Sequence, residues 1–345
     1  MDLIKQKTTD KKAIFYWLLS LTIITFLMIL IGGLTRLTDS GLSMVDWRPI
    51  LGTIPPLTNE DWIAVFNQYK NSPEFKIVNK NMELNDFKYI FWWEWFHRFF
   101  ARFLGLVFII PLIIFMFQKK ISKKLFFSLV ILFCFGLFQA VVGWWMVKSG
   151  LTDNPYVSSY RLTFHLTNAV IILSILLWLT LDAYYNRSTN FLPKNRMQNF
   201  ILILIFLLFV TIISGAFMAG SHAGQSFNTF PYMNDQLIPE GYFIKEYGYR
   251  NFFENVVTIN FNHRWLATIT FTIIIVFLIY NFLTKRYHRY NFHMLIIFLF
   301  AILQFLLGIL TLLSNVEVIL ASLHQVNSML LLASIIFFYH SIKKQ

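Results

Sequence analysis

Four of the chain's eight histidines fall into a duplicated pattern. His97-Arg98 recurs as His263-Arg264, and His165-Leu-Thr-Asn168 recurs as His324-Gln-Val-Asn327, each inside strongly apolar sequence. Polar side chains at membrane depth are expensive and are usually functional. Two imidazoles on separate helices, facing one buried space, suit the axial positions on either side of a heme iron. A zinc or non-heme iron site would want three or four ligands with carboxylate or thiolate help, and the second copy has no acid beside its histidines. A single membrane histidine is as readily explained by a hydrogen bond to a neighbouring helix, but four in repeated pairs are not.

One carboxylate breaks the symmetry. Glu94 precedes His97 by one helical turn on the same face, and the residue three before His263 is Asn260. A carboxylate can take a proton or stabilise positive charge, whereas an amide cannot titrate. The first loop also bears Asp39 and Asp46, where the matching stretch 220–231 has no acid. The first copy is therefore expected to host a reaction and the second to hold a permanent electron-transfer heme. The competing reading makes Glu94 an interfacial acid paired with Arg98.

The elements that must carry these residues are membrane helices. Of the residues, 57% are hydrophobic and only 13% charged, with 39 Phe in 345, which excludes a water-soluble domain. Runs without charge at 13–35, 125–147, 162–181, 197–220, 265–284 and 318–342 are each long enough to cross the hydrocarbon core. Two further spans lie at 103–118, continuing outward through Phe99 and Phe100, and at 292–313. The two halves align at an offset near 166 residues. Gln139-Ala-Val-Val-Gly143 matches Gln304-Phe-Leu-Leu-Gly308, and Gly32-Gly33 matches Ser214-Gly215. The expected fold is thus all-α, a polytopic membrane protein of eight transmembrane helices in two tandem four-helix bundles, 1–190 and 191–345. Each unit has four spans, so the repeat is parallel.

The net charge of +12 follows membrane topology rather than nucleic acid, because the basic residues sort by loop. Lys5, Lys7, Lys11 and Lys12, the linker 118–124, the stretch Arg187 to Arg196, Lys285 to Arg289 and Lys343-Lys344 alternate with loops that hold nearly all the acids. Both termini are accordingly expected in the cytoplasm, with loops 36–92, 148–160, 220–262 and 314–317 on the other side. The N-terminus has acids and no Arg, so no cleaved targeting peptide is expected, and a bacterial inner membrane is the expected home. The lone Cys134 lies in a span and is assigned to packing.

Arg98, Arg102, Arg161 and Arg264 are candidates for binding heme propionates, with snorkelling to the interface as the alternative. Trp92, Trp93, Trp95, Trp144, Trp145 and Trp265 read as an interfacial belt. Gln139, Gln304, Asn168 and Asn327 read as interhelical hydrogen bonds, and His222, His288, His293 and His340 receive no role.

Over about residues 13–340 the chain resembles the heme A synthase family, in the branch shared by alphaproteobacteria and mitochondria. The motifs are Gly32-Gly-Leu-Thr-Arg-Leu-Thr-Asp-Ser-Gly-Leu-Ser-Met-Val-Asp-Trp-Arg-Pro49, Phe91-Trp-Trp-Glu-Trp-Phe-His-Arg98, Gly143-Trp-Trp-Met-Val-Lys-Ser-Gly150, Tyr160-Arg-Leu-Thr-Phe-His-Leu166, Asn262-His-Arg264 and Leu323-His-Gln325. The resemblance implies oxidation of the C8 methyl group of heme O to a formyl group, giving heme A for cytochrome oxidase. It implies heme b as cofactor on His263 and His324, and the substrate heme O at His97 and His165 with Glu94 as the essential acid. Contact with heme O synthase and with an electron-transfer partner is expected, in membrane lipid and without nucleic acid. A homo-oligomer is compatible with all of this. Another branch has a cysteine pair in its outer loops, which this chain lacks. The alternatives are a diheme b-type membrane cytochrome that only passes electrons and, third, a heme transporter.

Overall fold

The computed structural model describes residues 2–47, 51–285 and 287–343, with side chains from residue 11 onward except residue 51. Arg48 and Pro49 of the first-loop motif, Arg286 and Lys344, and the side chains of Lys5 and Lys7 lie outside the described residues. The helices are α1 Asp2–Leu37, α2 Asn59–Tyr69, α3 Pro73–Ile77, α4 Leu84–Phe117, α5 Lys123–Gly150, α6 Ser159–Tyr184, α7 Arg196–Gly220, α8 Asn251–Glu254, α9 Val256–Thr284, α10 Asn291–Leu313 and α11 Val318–Ile342. Eight of these, all but α2, α3 and α8, are long and apolar enough to cross a membrane. No strand occurs among the described residues.

Polar caps start the spans where the sequence turns apolar. Ser122 accepts from the Leu125 N–H ahead of α5, Asn195 from Gln198 ahead of α7, and Asn255 from Val257 ahead of α9. Each satisfies an N–H that the first helical turn leaves without a partner. The Glu317 carboxylate does the same for Ile319 and Leu320 at the head of α11, where it also complements the helix dipole.

Both long loops end earlier than charge and hydropathy suggest. α4 begins at Leu84 and not after residue 92, so its 34 residues run to roughly 51 Å at 1.5 Å per residue, well beyond the hydrocarbon core. The reason is a partner for its first turns. Phe87, Ile90, Phe91 and Trp95 bury themselves against Trp62, Phe66 and Tyr69 of α2, forming an aromatic cap. α9 likewise begins at Val256, within the expected loop 220–262. There the preceding loop is held by amides: Asn251 donates to the Ile244 and Gly248 carbonyls, and Asn255 to Gly241. Gly241 and Gly248 have positive φ, which suits glycine at those bends.

The chain forms two compact units, residues 20–173 and residues 1–19 with 174–345. In the second, α7 packs on α9 and α11, and α10 packs on α9 and α11, closing a four-helix ring. In the first, α4 meets α5 through the stacked rings of Phe108 and Phe133, and α5 meets α6 through Asn168, which donates to the Phe135 carbonyl.

Candidate functional site

Each of the four repeated histidines lies against a helical glycine. A Cβ added at Gly32 of α1 would come within 3.2 Å of the His97 ring, at Gly143 of α5 within 2.9 Å of His165, at Gly215 of α7 within 3.1 Å of His263, and at Gly308 of α10 within 3.0 Å of His324. These are tighter than ordinary contacts, so a methyl group at Gly143 would force His165 to shift and one at any of the other three would press its ring by a few tenths of an ångström. His97 of α4 is seated on α1 and His165 of α6 on α5, while His263 of α9 is seated on α7 and His324 of α11 on α10, so each compact unit contains one expected pair.

The glycine contacts correct one register. The sequence alignment sets Gly32 opposite Ser214, whereas the histidine contacts set Gly32 opposite Gly215 and Ile31 opposite Ser214. Sequence comparison alone has no way to resolve a one-residue shift between apolar helices of low identity.

The Gln-x-x-x-Gly motif has a physical basis. Residues four apart share a helix face, so the glycine seats the imidazole while the glutamine reaches its edge. Gln139 Nε2 lies 3.2 Å from His165 Nε2 and donates to the His165 carbonyl, while its Oε1 accepts from Asn168 Nδ2 at 2.6 Å. In the second unit Gln304 Nε2 lies 3.2 Å from His324 Nδ1, and its Oε1 accepts from Asn327 at 2.8 Å. The amides are interhelical bonds, as expected, but they also bear on the histidines.

Glu94 is buried rather than exposed, and it is paired with Arg98 as the competing reading expected. Arg98 donates to its Oε1 at 2.5 Å, and Ser43 Oγ and the Met44 N–H donate to its Oε2 at 2.7 and 2.8 Å. Asn260 occupies the corresponding joint. Arg264 donates to its Oδ1 at 2.6 Å, and its Nδ2 donates to the Ala223 carbonyl at 2.7 Å. The two arginines also tie down their loops, Arg98 on the Met44 carbonyl and Arg264 on those of Phe227 and Thr229. Arg161 donates to the Trp145 carbonyl at 2.7 Å and stacks on that ring. Arg98, Arg161 and Arg264 are thus engaged with the protein. Ser43 and Met44 carried no sequence signal for this role, being about fifty residues from Glu94.

His340, given no role, is buried at the far end of α11 with Nε2 2.9 Å from Asp182 Oδ1 and 3.2 Å from Thr189 Oγ1. It braces the segment after α6. Among the described residues no three His, Cys, Asp or Glu side chains gather as a metal site. Paired imidazoles on glycine seats, with no clustered carboxylate or thiolate, match the donor set of a heme better than that of a bare metal ion.

The chain matches, over residues 15–336, a family described as cytochrome oxidase assembly protein. A protein of Nitrosospira multiformis named Heme A synthase is 39% identical over 343 residues, covering 99% of this chain and 96% of that one. A Heme A synthase of Nitrosomonas eutropha is 42% identical over 329 residues, covering 94% and 92%. One of Flavobacterium johnsoniae is 39% identical over 346 residues, covering 97% and 99%.

Proposed function

Since this chain belongs to the cytochrome oxidase assembly protein family, and its full-length relatives are named Heme A synthase, we propose how its two histidine pairs divide the work of that enzyme. The chain is a multi-pass membrane oxidoreductase that makes heme A, oxidising the C8 methyl group of heme O to a formyl group. His263 and His324 hold a resident heme b, which supplies one-electron redox chemistry when bound. His97 and His165 hold the substrate heme O. The functional halves are 1–190 and 191–345. In this reading both termini lie in the cytoplasm of a bacterial cell and the enzyme in its inner membrane, and the alternation of basic linkers supports that orientation. Supply of heme O by its synthase and exchange of electrons with a membrane partner belong to the same reading.

The observation that carries the division is the pair of joints. Arginine, loop and helix are arranged alike in both, yet one holds a carboxylate and the other an amide. Glu94 lies one helical turn from His97, so its charge stands beside the first histidine pair. There it stabilises positive charge on the reacting edge of the substrate or takes the proton the methyl group loses. Arg98, Ser43 and the Met44 N–H fix its position, and geometry precedes basicity in such a role.

Extracting the hemes from purified protein tests the assignment. Heme b together with heme O, its alcohol form or heme A is expected. Two heme b per chain and none of the others would make the protein an electron-passing diheme cytochrome. His263→Ala and His324→Ala should each abolish the low-spin b-type spectrum in protein that still inserts, and survival of that spectrum in both would overturn the cofactor half.

A further inference from the structure

The four imidazoles differ in what holds their second nitrogen. Ser214 Oγ lies 2.7 Å from His263 Nδ1 and 2.8 Å from the Thr211 carbonyl oxygen, one turn back on α7. A carbonyl only accepts, and a serine hydroxyl has one hydrogen. With that hydrogen on Thr211, the hydroxyl must accept from His263, so Nδ1 carries the proton and Nε2 keeps its lone pair. Gly215, the next residue, is what lets the ring come this close. The first pair shows no hydroxyl in this place. His165 Nδ1 is buried without a hydrogen-bond partner among the described residues while its Nε2 faces the Gln139 amide at 3.2 Å, and the residue before the glycine of His97 is Ile31, which has no hydroxyl.

We propose that Ser214 is a positioning residue that holds His263 as the Nδ1–H tautomer with Nε2 turned to the heme iron, and that His97 does without this restraint so that its heme can be exchanged. The proposal rests on His263 being a heme b ligand. A partner on the far nitrogen fixes the ring and makes it a more basic ligand, which favours ferric iron and lowers the reduction potential. A restrained, basic ligand suits a heme that stays. A pair in which His97 lacks that restraint suits one that is taken up, altered and released.

The experiment is a redox titration with electron paramagnetic resonance on purified heme-loaded protein carrying Ser214→Ala or Ser214→Thr. Ser214→Ala should raise the midpoint potential of the low-spin heme b and shift its ferric resonances toward those of a weaker imidazole donor. Ser214→Thr keeps a hydroxyl on the same carbon and should restore both. Loss of heme b from folded Ser214→Ala with retention in Ser214→Thr would support the restraint as well. A potential and resonances in Ser214→Ala equal to the parent's would overturn the proposal. His263→Ala in parallel separates the two levels: if it removes the heme while Ser214→Ala changes nothing, only the role of Ser214 fails, whereas survival of the heme in His263→Ala would remove the ligand assignment itself.

Discussion

The same joint is built twice in this protein, once around a carboxylate and once around an amide. Arg98 meets Glu94 as Arg264 meets Asn260, and in both the arginine also fastens a loop carbonyl. Asn260 shows that tying an arginine and a loop to this helix position does not need a charge. On the proposed function, what Glu94 adds is chemistry rather than architecture.

The comparison breaks most decisively at Glu94. Glu94→Gln keeps the side chain's size, and its carbonyl oxygen can still accept from Arg98 or Ser43, but the charge is gone. Conversion of heme O to heme A should fall at least ~100-fold, the effect typical of losing a general acid or base, with heme O or a partly oxidised form accumulating. The heme b spectrum should not change. Asn260→Glu, the converse, should leave the second unit without turnover, because on the proposed division that unit keeps its heme b and does not exchange it for heme O. Near-normal heme A formation by Glu94→Gln would reduce both joints to loop fasteners.

Much of this was legible in the sequence because membranes impose a coarse code. Apolar runs of span length and a handful of polar intrusions, repeated in order, were enough to read eight helices and two histidine pairs. The helical rotation that sets each imidazole on a glycine was not, since every residue of an apolar helix looks alike to a hydropathy argument. Nor was the start of α4, where Asp86 and Lys88 resemble loop sequence until the aromatic cap that buries Phe87 and Phe91 is known. The donors Ser43 and Met44 reach Glu94 only through tertiary structure, and the burial of Glu94 follows from them.

The glycine seats sharpen the comparison with an intermediate effect. Gly143→Ala puts a methyl group 2.9 Å from His165 Cε1, and Gly308→Ala one 3.0 Å from His324 Cε1. Each ring must tilt or its helix must move, at about the 1–3 kcal/mol of an overpacked core. Gly308→Ala should lower the fraction of molecules carrying heme b, read from the b-type absorbance per chain. Gly143→Ala should leave that absorbance intact while weakening heme O retention. Loss of heme b in both variants would mean that the glycines serve general helix packing and not their own histidines.

The smallest expected effect separates the two outer caps. The second is held by Asn251 and Asn255, which do not titrate, whereas the first encloses Glu74, whose Oε2 accepts from the Tyr69 hydroxyl at 2.9 Å while Asn79 donates to that hydroxyl at 2.8 Å. Burial, with Glu94 and Asp39 nearby, pushes Glu74 from its ordinary 4.5 up to about 8, the Tyr69 hydrogen bond acting the other way. The folded cap therefore holds a proton that the unfolded chain gives up above about 4.5. Where the folded state binds more protons, stability falls as pH rises. The contribution is full below 4.5, declines through the window up to about 8, and is flat above. Amide hydrogen exchange over residues 59–77, corrected for intrinsic rates, should show several-fold weaker protection at pH 8.5 than at pH 5.5, with no such change over residues 241–255. Glu74→Gln carries permanent hydrogens where the carboxyl has its proton, so it should level the pH dependence of the first cap. A dependence that persists in Glu74→Gln would place the titrating group elsewhere, and an equal dependence in the second cap would erase the distinction between them.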